Sequence, residues 1–79
     1  MIYKTKYKKD DYIFEEVIKE KNISIFSQTC LVMNKIIAYE VYIIRNNNIP
    51  KTTDWGKYGF TFRSFEKAKN KFIELLDVK

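Results

Sequence analysis

Apolar positions recur along this chain with two different periods, and the changes of period divide it into segments. Residues 2–9, IYKTKYKK, alternate Tyr3, Thr5 and Tyr7 with Ile2, Lys4, Lys6 and Lys8, a two-residue repeat that suits an edge strand or a mobile basic arm. In DDYIFEEVIKEKN, which follows, Ile13, Phe14, Val17 and Ile18 fall at one-turn spacing and predict an amphipathic helix. Asp10 or Asp11 would cap its first turn, Glu15 and Glu16 favour the positive end of the dipole, and Lys19 and Lys21 the negative end. Asn22 would end it in the left-handed conformation.

The period then shortens to two. ISIFSQTCLVM (residues 23–33) and KIIAYEVYIIR (residues 35–45) are rich in β-branched and aromatic residues and predict a β-hairpin with a tight connection at Met33, Asn34 and Lys35. In its second strand Ile37, Tyr39, Val41 and Ile43 point one way, and Ala38, Glu40 and Tyr42 the other. NNNIPKTTDWG (residues 46–56) reads as a long loop. A third strand, KYGFTFR, sets Tyr58, Phe60 and Phe62 against Lys57, Gly59, Thr61 and Arg63. Ser64 then caps a helix whose Phe65, Ala68, Phe72 and Leu75 share one face, with Leu76 alongside.

The expected fold is therefore α+β, in the order αβββα: a three-stranded antiparallel sheet with both helices on one face, over residues 10–79, preceded by the basic arm or an extra edge strand over residues 1–9. The other sheet face would stay open and carry Gln28, Glu40, Tyr42, Lys57, Thr61 and Arg63.

Length and composition narrow this picture. Seventy-nine residues make one domain with a spare core, and a hydrophobic content of 46%, with 16% aromatic, argues for a packed globule. The net charge of +5 is uneven, at +4 over residues 1–9, −3 over 10–34 and +4 over 35–79. Lysine is common here alongside Ile, Asn, Tyr and Phe, while Arg occurs only twice, so a lysine by itself carries little functional meaning. Cys30, the single cysteine, cannot form an internal disulfide and reads as a buried strand residue. The start lacks an apolar signal core, and the longest apolar run, Ile36–Ile44, is interrupted by Glu40 and is far shorter than the roughly 20 residues of a membrane span. These features predict a cytoplasmic monomer or small homo-oligomer without a membrane partner.

Candidate chemistry is sparse. With no His, a lone Cys, and glycines at positions 56 and 59 that form no phosphate loop, the chain lacks the usual nucleophile and base pairs and the usual metal-ligand patterns. An enzyme, a cofactor and a metal are not expected. Asp10, Asp11, Glu15, Glu16 and Glu20 could offer oxygens to Mg²⁺, as a nuclease would need, but also make an ordinary solvated helix face. Trp55, on a long loop, serves either as a lid over the core or as an interface anchor. Tyr42, Trp55, Lys57 and Arg63, on the open face and the loop, are the candidate partner-binding residues.

Two resemblances add expectations. The αβββα order, together with SFEKAKNKFIELL and its Lys67, Ala68, Lys69 and Lys71, resembles the double-stranded RNA-binding domain, which implies phosphate contacts. Together with the basic arm it nominates Lys4, Lys6, Lys8, Lys67 and Lys71 as nucleic-acid contacts, with a strong salt dependence. The run YEVYIIR, a polar loop, and WGKYGFTFRSFEKAKNKF resembles small phage and mobile-element proteins, a group that includes anti-CRISPR inhibitors. This second likeness implies a non-enzymatic module that binds a host protein, such as a defence nuclease.

Overall fold

Two neighbouring strands with apolar side chains on both faces dictate the architecture. The structure, a computed structural model, describes residues 3–77; Met1 and Ile2, at the start of the basic arm, and Val78 and Lys79 lie outside the described residues. The elements are β1 (Lys6–Lys9), β2 (Tyr12–Glu20), β3 (Ile23–Cys30), β4 (Lys35–Ile43), a single 3₁₀ turn (Thr52–Asp54), β5 (Gly59–Phe62) and α1 (Phe65–Leu76). All five strands form one antiparallel sheet in the order β1-β2-β3-β4-β5. The helix packs across β3, β4 and β5.

This corrects the αβββα expectation. The segment from Asp10 to Asn22 is not a helix but the strand β2 with its two flanking turns, so the sheet has five strands and one helix covers it. Its apolar spacing is ambiguous, because one bulge turns a two-residue repeat into steps of three and four. Tyr12, Phe14 and Glu16 share a face, opposite Cys30, Gln28 and Phe26 of β3. The register then shifts between Glu16 and Ile18. Val17 is the extra residue and is exposed, while Ile18 is turned to the other face, against the core beneath α1. Asp10 and Lys21 take φ of 56° and 57°. They are turn residues of two hairpins, not a cap and a last helical turn, and Lys21, not Asn22, is left-handed. The helix–strand–helix order from which the RNA-binding-domain likeness was drawn is thereby replaced.

The central hairpin forms, but its loop is Leu31–Asn34 and not Met33–Lys35: β3 ends at Cys30, Lys35 already belongs to β4, and Asn34 takes φ 53°. Ile23, Ile25 and Val41 face α1 and meet Ala68 and Phe72. Ser64 caps the helix by accepting a hydrogen bond from the Lys67 amide at 3.2 Å. On the reverse face, Phe26 and Tyr42 are buried with Phe14 and Ile44 in a second cluster. Tyr3 and Tyr7 cover that cluster from the N-terminal segment and Ile49 covers it from the β4–β5 connection. The reverse face is therefore not open, and Tyr42, at 1% exposed, and Glu40, at 8%, are inside the protein. Two helices were expected to shield one face; instead one helix shields one face, and the N-terminal segment and the β4–β5 connection shield the other.

The strand assignment separates two neighbouring residues that a helix would bury together. In urea denaturation, Val17→Thr should change stability by no more than about 0.5 kcal/mol, as at other exposed sites, whereas Phe14→Ala should cost about 3–5 kcal/mol. Equal costs would restore the helix.

Candidate functional site

The β4–β5 connection is built in two pieces, each with a local cause. Asn46 and Asn47 both adopt positive φ, 54° and 61°, which asparagine tolerates better than most residues. Arg45 and Asn48 exchange backbone hydrogen bonds across them at 3.2 and 2.9 Å, so the asparagine run is a tight hairpin turn of the kind that needs two left-handed residues. Asp54 closes the 3₁₀ turn by accepting from the Lys51 amide at 3.1 Å. Arg45 ties the two pieces together, 3.6 Å from the Asp54 carboxylate and with its guanidinium 3.6 Å from the centre of the Tyr58 ring.

Trp55 is the next residue, and it folds back onto the sheet. Its ring stands edge-on to Tyr42, centroids 5.8 Å apart, and its Nε1 donates to Thr61 Oγ1 at 2.9 Å. Beneath it lies Gly59, paired with Tyr42 in the register of β4 and β5. A Cβ on Gly59 would fall 2.8 Å from two carbons of the indole, so the absence of a side chain there lets the tryptophan lie flat. Trp55 is thus the lid that the sequence offered as one alternative, although 39% of it remains exposed. Tyr58 is half-buried.

Between this lid, the connection and β1 lies a cleft of about 340 Å³ lined by Tyr7, Lys9, Phe14, Glu40, Tyr42, Ile49, Pro50 and Trp55. Tyr7 stacks on Phe14, with centroids 4.9 Å apart and planes 12° from parallel. At the cleft's polar centre is Glu40. Its Oε1 accepts from the Tyr42 hydroxyl, and its Oε2 accepts from Thr61 Oγ1 at 3.1 Å. Tyr42 has one proton, which goes to Glu40, so the 2.9 Å contact between the Tyr7 and Tyr42 hydroxyls must be donated by Tyr7. Indole N–H can only donate, so Thr61 accepts from Trp55 and passes its own proton on. Two hydrogen-bonded chains, Tyr7 to Tyr42 and Trp55 to Thr61, converge on one carboxylate.

Burial pushes the Glu40 carboxyl above the ordinary carboxylate range, against the opposing pull of Tyr42, Thr61 and the charge of Lys9. Burial also raises Tyr42, helped by the adjacent Glu40 charge, and raises Tyr7, so both phenols keep their protons. Among the described residues no cation lies within 4.0 Å of Glu40. A second, shallower arrangement sits two strands away, on β2. There Glu16 accepts from Tyr3 and from Ser24 Oγ at 2.7 Å, and Phe26 stands between Glu16 and Glu40 in the cross-strand row.

The candidate residues fare differently. Tyr42 and Trp55 are brought together, but Tyr42 is a buried wall and not a surface contact. Lys57 and Arg63 are exposed and do not line the cleft. Lys6 and Lys8 are exposed on β1, one edge of the sheet, after exposed Lys4. Lys67 is exposed on α1, which lies over β3, β4 and β5, so the lysines fall into two separated groups. Lys71 is engaged by Glu74 at 2.6 Å and by the Phe60 ring. The acidic residues read as one helix face are dispersed, with Asp10 and Asp11 in a turn and Glu15 and Glu16 on opposite faces of β2. Among the described residues no cluster of three or more Cys, Asp or Glu is arranged to hold a metal ion, and no helix is long and apolar enough to cross a membrane.

Tyr7, Lys9, Phe14 and the role of Glu40 escaped the sequence reading. The usable signal was Asp10–Asp11 as a two-residue hairpin turn, which places Tyr7 opposite Phe14. Comparison of the chain with family models, with curated proteins and with solved structures finds no match.

The raised Glu40 carboxyl fixes the sign of a pH effect. Below the ordinary carboxyl value the group is protonated whether folded or unfolded and costs nothing. As pH rises from there through its folded value, the unfolded chain loses the proton first and stability falls. Glu40→Gln should therefore gain on the wild type in urea midpoint as pH is raised from mildly acidic to neutral, and an unchanged difference would contradict the burial argument. Gly59→Ala should lift the indole, shifting the emission of the sole tryptophan to the red and costing about 1–3 kcal/mol.

Proposed function

We propose that the chain is a small, non-enzymatic binding module that engages a protein partner through the mouth of the aromatic cleft, with Trp55 as its anchor. The observation that carries this reading is the state of Trp55, an aromatic 39% exposed yet fixed by a hydrogen bond to Thr61 and by contact with Gly59 and Tyr42. A large ring held in its binding position loses little conformational freedom on association, and such residues dominate interface energetics. The polar groups around it support binding over catalysis, since both Glu40 oxygens are already hydrogen-bonded and the chain has no His and a single, buried Cys.

The use made of such a module follows the likeness to phage and mobile-element inhibitors. A rigid aromatic rim blocks a host protein, such as a defence nuclease, by occupying one of its surfaces and needs no chemistry to do so. Tyr42 contributes from beneath as the wall on which Trp55 rests.

Affinity capture from host lysate provides the test. Wild type should retain a defined protein that Trp55→Ala loses by tenfold or more while still unfolding in one cooperative transition, at a lower temperature than wild type, and Lys69→Ala on the exposed side of α1 should retain it. Capture unaffected by Trp55→Ala removes the cleft mouth from the interface, and recovery of nucleic acid that is released by moderate salt would favour the lysines instead.

A further inference from the structure

The donors in the cleft are already spent. The hydroxyl protons of Tyr7, Tyr42 and Thr61 and the indole proton of Trp55 are all directed along the two chains that end on Glu40. An anionic or acceptor-rich ligand would find only the Lys9 ammonium to meet it. What the cleft offers instead is aromatic walls, from Tyr7, Phe14, Tyr42 and Trp55, and a carboxylate, 8% exposed, with no cation within 4.0 Å among the described residues. Aromatic faces attract cations through the ring quadrupole, more strongly where water is excluded.

The same exhaustion of polar groups selects among cations. A primary ammonium carries three N–H donors and must replace three strong hydrogen bonds to water, whereas in the cleft Glu40 is only 8% exposed with each oxygen already accepting one bond, and the Tyr7 hydroxyl oxygen is the further side-chain acceptor on the wall. A methylated ammonium has few or no donors to satisfy and is more weakly hydrated. It needs apolar and aromatic contact and a nearby negative charge, which Tyr7, Phe14, Trp55, Ile49 and Glu40 supply. The volume of about 340 Å³ suits a group of side-chain size.

From this we infer that the cleft is a site for a trimethylammonium group, presented by a methylated lysine of the protein partner. The inference rests on the binding reading above and identifies the chemical group that enters its cleft. Lys9 has a defined place in it. As the one lysine or arginine lining the cleft among the described residues, it repels the ligand and partly neutralises Glu40, so it tunes affinity downward.

Trp55 is the only tryptophan, and its emission reports occupancy directly. Titrating Nα-acetyl-trimethyllysine amide should give a saturable change in that emission, about tenfold tighter than with the unmethylated lysine amide. Choline and its uncharged carbon isostere, 3,3-dimethyl-1-butanol, separate charge from shape: choline should bind and the alcohol should be about tenfold weaker. If choline binds more tightly than the lysine derivative, the source is a free small cation and the assignment to a partner side chain is overturned. Glu40→Gln should weaken binding by about tenfold, and Lys9→Gln, a change at an exposed position that leaves the core intact, should strengthen it severalfold. Equal binding of choline and the alcohol, no saturable signal, or a weakening by Lys9→Gln would each overturn the cation site. Failure here with Trp55-dependent capture intact would sink the ligand class alone. Ammonium binding without Trp55-dependent capture would sink the protein partner and leave a small-molecule site.

Discussion

The hairpin of β3 and β4 carries apolar side chains on both of its faces, and each face has to be hidden from water. Ile23, Ile25 and Val41 point one way, and Phe26 and Tyr42 the other. At about 25 cal/mol per Å² of apolar surface, leaving either set exposed would cost several kcal/mol, a large share of the stability of a domain this small. One amphipathic helix is long enough to cover one side only. The other is closed by β2 and β1 pairing outward from the hairpin and by Tyr3, Tyr7 and the β4–β5 connection folding over the top. Seen this way, the conversion of the Asp10–Asn22 segment from helix to strand is a demand of burial: as β2 it contributes Phe14 to the uncovered face and Ile18 to the covered one.

That second closure is made from amphipathic groups, and this gives the cleft its character. Aliphatic side chains would have sealed the reverse face completely. Tyrosines and a tryptophan instead bring hydroxyl and indole protons that need acceptors, and Glu40 and Thr61 on the same face provide them. The carboxylate is costly to bury but is held by two converging hydrogen-bonded chains, each strengthening the next link. Because all the protons run inward to Glu40, the surface left facing the cleft is lined by aromatic side chains and short of free side-chain donors. The electrostatic preference of the cleft is thus a by-product of how the core is closed.

The positive net charge lies elsewhere. Lys6, Lys8 and Lys9 are exposed on β1, an edge strand, where lysine discourages pairing with another sheet. The lysines of α1 cover the wet side of an amphipathic helix, and Lys71 also rests on Phe60. Each group has a structural use within the fold, and among the described lysines only Lys9 lines the cleft.

Patterns confined to one element were legible without coordinates. The steps of three and four from Phe65 to Leu75, with Ser64 before them, define α1 because a helix face and its cap are set within a few residues. The alternation over residues 35–43 likewise defined which side chains of β4 oppose each other, and Glu40 and Tyr42 do share a face. What local pattern left open was everything that depends on a distant partner. Ile13, Phe14, Val17 and Ile18 fit a helix as well as a bulged strand, and only the pairing of β2 with β3 on one side and β1 on the other separates them. Trp55 could lie on Gly59 or project to a partner, and that depended on a chain reversal across the connection that no periodicity records. The cleft itself joins residues from β1, β2, β4 and the connection, up to 48 positions apart, so its existence follows from closure of the reverse face, which is a property of the whole sheet and of no segment within it.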